Sequence, residues 1–360
     1  MRATIVLLPG DGIGPEVVDA AARVLSNVEL RFGHSFTLKS WPIGADALRR
    51  GDPPLPSSTL EACLKSDAVL LGAVGDPEYN DVSREQRPET ALLELRRALG
   101  TFANLRPARV WPGLESDSVV RADVIRGLDL LIVRELTGGI YFGEPRGRTD
   151  DGREAFDTMR YSTTEIERIA VVAFESARRR RKLVTSIDKA NVLESSRLWR
   201  EVVTRVALRF SDVRLQHQLV DSCAMLLVSN PGQFDVLLAS NLFGDILSDE
   251  AGAVVGSLGL LPSASIGGKG GIFEPVHGSA PDIAGSDRAN PVATIASAAL
   301  LLRYALGAET EAATIETAIG EALNDGFRTA DLASDGMAVT SCSQMTQAII
   351  DRMGRNVGGH

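Results

Sequence analysis

Cysteine and histidine are scarce in this chain. Its three cysteines, Cys63, Cys223 and Cys342, lie far apart, contain no CxxC pair and leave an odd thiol in any pairing scheme. That excludes a disulfide framework and suits reduced, intracellular thiols. The four histidines include no close pair suited to zinc, and neither HExxH nor GxSxG occurs. Zinc hydrolysis and a serine elbow are therefore poor readings. Basic charge is in deficit as well: 38 Lys and Arg stand against 47 Asp and Glu, a net charge of -9. A surface built generally for phosphate backbones is excluded, although a local anion site is not.

Long hydrophobic runs are also missing. The longest charge-free stretch, residues 251–268, is broken by Gly, Ser and Pro, whereas a membrane span needs about 20 apolar residues. The opening MRATIVLLPGDGIGP carries one basic residue and a short apolar run that stops at a turn. It lacks the length and cleavage site of a signal peptide and reads as a strand. The expectation is a cytoplasmic protein that contacts neither membrane nor nucleic acid. One feature points the other way, the RRRRK cluster at 178–182. It follows a helical segment with Glu165, Glu167 and Glu175, an order the helix dipole favours, and it has no aromatic partners for base stacking.

What is present is a globular composition, 44% hydrophobic over 360 residues, long enough for two domains. Short apolar runs alternate with helical periodicity. Residues 4–8 read as a strand and 16–25 as a helix; 68–71 as a strand and 89–99 as a helix. Further on, 129–134 reads as a strand, 164–180 as a helix, 182–188 as extended, 195–210 as a helix and 236–238 as a strand core. The polar, Gly-rich segment 144–156 reads as a hairpin or arm, with Tyr141 in a glycine-bounded strand beside it. The expectation is an α/β fold.

Several residues are able to carry chemistry. GDGIGPE at 10–16 does not complete a GxGxxG fingerprint, and Pro15 removes an amide donor. A tight turn into a helix and a cofactor-facing loop both remain open. In RPETALLELRR, a helix places Glu89, Leu92, Leu93 and Arg96 on one side. That mixed face fits either an amphipathic packing helix with charged ends in water or a grip on a ligand bearing a carboxylate and a small branched hydrocarbon. Arg106 and Arg134 lie near expected strand ends, and arginine matches carboxylates with a planar fork of donors. In NLFGDILSDEAG, Asp245 and Asp249 are four apart, so a helix aligns their carboxylates at a cost in repulsion unless a cation intervenes. An Mg or Mn ion accepts such ligands, a remote Asp221 is able to complete the set, and solvated carboxylates are the bland alternative. Lys189 and Tyr141 are residue types that transfer protons in a suitable environment.

Taken in order, GDGIGPE, RPETALLELRR, NLRP, RELTGGIYFGEPR, DKANVL, NLFGDILSDEAG, GSLGLLPSASIG and EPVHGSAPDIAGSDRANP span almost the whole chain. This set resembles the 3-isopropylmalate dehydrogenase family, within the isocitrate/isopropylmalate group of decarboxylating β-hydroxyacid dehydrogenases. The resemblance implies a two-domain α/β fold with a large sheet and no conventional Rossmann fingerprint. Residues 1–101 and 252–360 would form the first, cofactor-side domain. Residues 102–251 would form an inserted dimerisation domain with an arm near 138–157.

The resemblance also implies NAD-dependent oxidative decarboxylation of 3-isopropylmalate in leucine biosynthesis by a homodimer. Arg96, Arg106 and Arg134 would hold the malate carboxylates, while Glu89, Leu92 and Leu93 shape the pocket beside the isopropyl group. Asp245, Asp249 and the partner subunit's Asp221 would surround Mg or Mn and the substrate. Tyr141 and the partner subunit's Lys189 would handle protons. His277, Gly278, Ser279, Ala280, Asp282, Ile283 and Asn290 would take the adenosine side of the dinucleotide, with Glu274 nearer the nicotinamide. Asp282 accepts from a ribose diol and repels a 2'-phosphate, which favours NAD over NADP.

Overall fold

The computed structural model describes residues 1–83, 86–115, 118–268, 270–334 and 336–354. The chain runs β1 (Arg2–Gly10), α1 (Gly14–Phe32), β2 (Ser35–Ser40), α2 (Ala45–Arg49), α3 (Ser57–Lys65), β3 (Ala68–Ala73), α4 (Glu89–Leu99), β4 (Ala103–Arg109), α5 (Ala122–Ile125) and β5 (Asp129–Glu135). It continues through β6 (Gly147–Arg148), β7 (Ala155–Phe156), α6 (Thr163–Arg178), β8 (Leu183–Asp188), α7 (Glu194–Ala207), β9 (Arg214–Leu219), α8 (Val220–Ser229) and β10 (Val236–Ala239). It ends with α9 (Asn241–Val255), β11 (Pro262–Ile266), β12 (Ile272–Pro275), α10 (Val292–Tyr304), α11 (Glu309–Asn324) and α12 (Cys342–Met353). Two compact units divide the chain: Met1–Thr101 with Trp111–Ser118 and Gly256–His360, and Phe102–Val110 with Val119–Val255. Among the described residues the first unit holds five strands and the second five more plus the short β6–β7 ribbon, each an α/β arrangement.

In the first unit the strand order is β2-β1-β3-β12-β11. β1 pairs in parallel with β2 and β3, β12 in parallel with β3, and β11 closes antiparallel on β12. β3 is buried along its whole length, as a strand covered on both faces should be. α10 is buried from Val292 through Leu302, so it is apolar all round and lies inside the unit rather than on it. α4 is amphipathic. Ala91, Leu95 and Leu99 make its core face, in a cluster with Val6, Leu8 and Leu71.

The second unit has the order β4-β5-β10-β8-β9, parallel except for β4, which runs antiparallel to β5. α6 begins with a capping box in which Ser162 and Glu165 satisfy each other's backbone donors. β6 and β7 form a two-stranded antiparallel ribbon with Gly147 opposite Phe156. Three arginines at the end of α6 and just after it are paired within the chain: Arg178 with Asp212, Arg180 with Asp129 and Asp235, and Arg181 donates to the Phe234 carbonyl.

Three local readings of the sequence are corrected. Tyr141 lies in a 3-10 turn, Gly139–Tyr141, not a strand. Gly139 has φ +74° and its carbonyl accepts from the amides of Phe142 and Gly143, which closes the chain on itself. The helix expected over 195–210 stops at Ala207, because Phe210 leaves the helical path to stack on Phe174 at 5.0 Å. The stretch 251–268, expected to be broken up by its Gly, Ser and Pro, instead holds the last turn of α9 and the whole of β11. Among the described residues no helix is long and apolar enough to cross a membrane.

Candidate active site

In the second unit the chemistry gathers at the carboxyl ends of β5 and β10, where ligands of open α/β sheets bind. Asn104 on β4 stands opposite Arg134 on β5, and Arg106 opposite Ile132. Because side chains alternate along a strand, Asn104, Arg106 and Arg134 share one face. α9 follows β10 at once and packs on both β4 and β5. It brings Asn241, Asp245, Ser248 and Asp249 to that face.

Asp245 is the hub. Arg134 Nη1 donates to its Oδ1, Arg106 Nη1 lies 3.3 Å from the same atom, and the Tyr141 hydroxyl donates to Oδ2 at 2.8 Å. Burial, then the bond to Asp245, pushes the Tyr141 phenol above its ordinary value, so it stays protonated at neutral pH. The Arg134 guanidinium lies 5.6 Å from the Tyr141 ring centre. One helical turn on, Asp249 sits 3.7 Å from Arg106 Nη1, with its side chain 62% exposed. Burial and the neighbouring Asp245 raise its carboxyl against the pull of Arg106 and Arg134.

Lys189 and Asp221 are brought together. Lys189 Nζ donates to Asp221 Oδ1 at 2.7 Å, and that hydrogen bond holds the Asp221 carboxyl below its ordinary value. The Asp221 side chain is 64% exposed. Within the described chain Asp221 does not join Asp245 and Asp249: the one group of three His, Cys, Asp or Glu ligand atoms mutually within 4.8 Å is Glu16, Asp287 and Cys342.

In the first unit, Leu92 and Leu93 are half-buried, and Glu89 is exposed at the start of α4. Leu92 packs against the margin of the core cluster under α4, while Ala91, Leu95 and Leu99 form its buried face. Arg96 Nη2 donates to Glu274 Oε1 on β12 at 2.8 Å, both side chains largely buried.

The glycines of the first loop are packing devices. Gly12 has φ +56°, and a β-carbon there would meet the Ser279 carbonyl oxygen at 1.9 Å. The same carbonyl accepts from the Ile13 amide at 2.8 Å, so the loop 10–14 and the loop 277–283 are zipped together. Asp11 is buried beneath them and accepts from the amides of Gly75, Ala45 and Asp46; burial raises its carboxyl despite those bonds.

Beside the zipped loops lies a solvent-open cavity of about 190 Å³ lined by Ile13, Ser257, Gly259, His277, Ile283, Arg288, Asn290, Ala330 and Asp331. Of the residues singled out in the sequence, His277, Ile283 and Asn290 line it. Ser279 and Ala280 form the zipped turn, Gly278 and Asp282 are exposed, and Glu274 is engaged with Arg96. His277 Nδ1 lies 2.9 Å from the Gly278 carbonyl oxygen, while Nε2 is buried with no hydrogen-bond partner among the described residues. Burial pushes this imidazole down from 6.5. A neutral ring that donates from Nδ1 presents a bare acceptor at Nε2.

Sequence reasoning missed Asp331. Its Oδ2 accepts from Ser257 Oγ at 2.6 Å and Asn290 Nδ2 at 3.0 Å, and its Oδ1 from Thr329 Oγ1 at 2.6 Å. In TADLASDG it is one of two aspartates in a segment without helical or strand periodicity, so nothing marked its partners. Asn104 and Asn241 were missed for the same reason.

Residues 4–349 match the family model described as isocitrate/isopropylmalate dehydrogenase. A protein of Halalkalibacterium halodurans named 3-isopropylmalate dehydrogenase is 54% identical over 360 residues, covering 99% of each chain. Among solved structures, isocitrate dehydrogenase from Methylococcus capsulatus is similar with a TM-score of 0.87 and 37% identity, over 98% of this chain and 99% of that one. A β-decarboxylating dehydrogenase from Thermococcus kodakarensis gives 0.81 and 36%, over 98% and 96%.

Proposed function

Because the chain belongs to the isocitrate/isopropylmalate dehydrogenase family, we propose that it oxidises and decarboxylates 3-isopropylmalate to 4-methyl-2-oxopentanoate and carbon dioxide with NAD. The step belongs to leucine biosynthesis, and we place the enzyme in the cytoplasm as a homodimer. The observation that carries the reading is the convergence of Arg106, Arg134 and the Tyr141 hydroxyl on Asp245. Two cations, a carboxylate and a protonated phenol on one face suit an anionic substrate that must be gripped and then protonated.

Arg106 and Arg134 would take malate carboxylate oxygens through their forks, and Arg96 would do so from α4. Glu89, Leu92 and Leu93 would flank the isopropyl group. The leucines are half-buried and have apolar area left to cover. Isocitrate, the substrate named for one structural relative, carries a carboxylate where these residues offer none of the matching charge.

The donors fit the implied groups. Asp245, Asp249 and the partner subunit's Asp221 make an all-oxygen set of the kind Mg and Mn accept. The bare His277 Nε2 fits an N–H donor such as a nucleobase amine. Asn290, Ile283 and the 277–283 loop would hold the rest of the adenosine half, with Asp282 on the ribose diol. When bound, NAD supplies the hydride acceptor, and the metal supplies a Lewis acid for the carbonyl and the electrons released with carbon dioxide. The partner subunit's Lys189 would help, through water, to remove the substrate hydroxyl proton, and Tyr141 would deliver a proton to the enolate carbon. The exposed pairing of Lys189 and Asp221, apart from Asp245 and Asp249, supports their serving a neighbouring copy.

The test is a set of initial rates with NAD on 3-isopropylmalate, isocitrate, D-malate and tartrate, with Mg and after chelation. Magnesium-dependent turnover highest on 3-isopropylmalate is expected. Equal or faster turnover of isocitrate or D-malate would replace the substrate assignment.

A further inference from the structure

The arginines assigned to substrate are fastened in two different ways. Arg96 donates to a carboxylate, Glu274. Arg106 and Arg134 instead place their Nε donors on amide oxygens: Arg106 Nε reaches Asn104 Oδ1 at 2.6 Å, and Arg134 Nε and Nη2 reach Asn241 Oδ1 at 3.1 and 2.7 Å. Asn104 and Asn241 are 0% and 2% exposed. Asn241 Nδ2 donates to the Gly138 carbonyl at 3.3 Å, which fixes which end of the amide faces Arg134. Ser248 Oγ, a second neutral acceptor, takes Arg106 Nη1 at 2.6 Å.

A carboxylate at either position would satisfy the same fork and bind it more strongly. It would also add a buried negative charge beside two guanidinium groups that already meet Asp245. The amides keep the direction and omit the charge. We propose that Asn104 and Asn241 are positioning residues that aim Arg106 and Arg134 without neutralising them, and so set a preference for a doubly charged carboxylate ligand. This rests on the reading that both arginines take substrate carboxylates. Asn104 is the sharper case, since it bonds Arg106 and stands opposite Arg134 across the β4–β5 ladder. An aspartate there would lie near both cations.

Asn104→Asp is nearly isosteric and keeps the acceptor that Arg106 Nε needs. It is tested by calorimetry in the presence of Mg with two ligands, the dianion 3-isopropylmalate and the monoanion 2-hydroxy-4-methylpentanoate, alongside NAD. The expected result is a Kd for the dianion raised by about tenfold or more, a clearly smaller rise for the monoanion, unchanged NAD binding, and a shallower salt dependence of dianion binding. A purely structural role would weaken both acids equally. Equal weakening, or an unchanged dianion Kd, overturns the proposal. Asn241→Asp in the same assays carries the test if Asn104→Asp does not fold. Arg106→Lys and Arg134→Lys separate the two levels of argument. If they leave dianion binding unchanged, the substrate assignment of the arginines falls. If they weaken it while both Asn→Asp variants do not, only the role of the amides falls.

Discussion

Gly244 lies against Arg134: a β-carbon on Gly244 would stand 2.8 Å from both Cβ and Cγ of the arginine. α9 thus crosses β5 at a spacing that only glycine permits, and that closeness lets Asn241 and Asp245 reach the Arg134 fork on either side of it. Gly244→Ala should push the helix off the strand. A stability loss of about 1–3 kcal/mol is expected for such overpacking, together with a rise in KM for substrate that exceeds any change in NAD affinity. Thermal melts and steady-state kinetics on the same preparation check both. An alanine variant with unchanged KM would mean that this contact does not set the arginine's aim.

Tyr141 should act as a proton donor throughout the neutral range, because burial and the hydrogen bond to Asp245 raise its phenol above 10. Tyr141→Phe keeps the ring beside Arg134 and deletes the proton. Turnover is expected to fall by about 10²–10⁴-fold, the usual worth of a positioned acid, with little change in substrate Kd. In the parent, kcat should show no alkaline limb from this group below about pH 10. A Tyr141→Phe enzyme with near-parental turnover would remove the residue from the proton path.

If Lys189 serves the neighbouring copy, two inactive variants should repair each other. In a hybrid of Tyr141→Phe and Lys189→Ala subunits, one site carries both lesions and the other carries neither. Random mixing of the two homodimers after dissociation and reassociation should therefore recover about one quarter of parental activity. Sites built wholly within one chain would recover none.

The sequence made some elements legible and hid others for physical reasons. Helix α4 was readable to the residue, Glu89–Leu99, because its periodic leucines start after Pro88 and stop at Gly100, which takes the left-handed conformation. The alternation of short apolar strands with helices gave the α/β class, and the ordered motifs gave the family. Tyr141 misled, since a Gly-Gly pair inside an apolar stretch reads as a strand until Tyr161 is known to sit where β-carbons on Gly138 and Gly139 would be. The asparagines under Arg106 and Arg134 were illegible. An amide that aims an arginine from two positions along its own strand, or from a helix far on in the chain, leaves no period: the partners lie 2 residues apart in one case and 107 in the other. The cavity of the first unit was hidden likewise, being assembled from Ile13, Ser257, His277 and Asp331.

His217 should give the protein an acid-side stability slope. Burial, then the nearby Arg200, holds its imidazole below 6.5, with Asp188 opposing. A histidine whose folded pKa is depressed contributes stability that is present above the unfolded value of about 6.5 and lost as pH falls through the folded value. His217→Gln retains a polar group near Thr204 Oγ1, which lies 3.0 Å from Nε2, but does not titrate. Melting temperatures from pH 7.5 to 5.5 should drop more steeply in the parent than in His217→Gln. Parallel curves would show that other groups carry the acid response.

Cofactor choice should turn on Asp282. The residue is exposed on the 3-10 turn Pro281–Ile283, one position before Ile283, which lines the same cavity as His277. A carboxylate there can accept from both hydroxyls of an adenosine ribose, whereas a 2'-phosphate would remove one donor and set like charges together. Because Asp282 is exposed, the repulsion is screened, so discrimination against NADP should weaken as salt rises. In Asp282→Lys with Ile283→Tyr the sign reverses: the ammonium attracts the phosphate, and the phenol adds a donor. The ratio of kcat/KM for NAD to that for NADP should be high in the parent and lower by about tenfold or more in the double variant at low ionic strength, with a smaller gap at high salt. Loop geometry bears on the absolute NADP rate, because Ala280 holds a φ of +37° directly before the turn, so the ratio is the quantity to compare. Parental preference for NADP, or a ratio that stays constant in a folded double variant, would take Asp282 out of cofactor recognition.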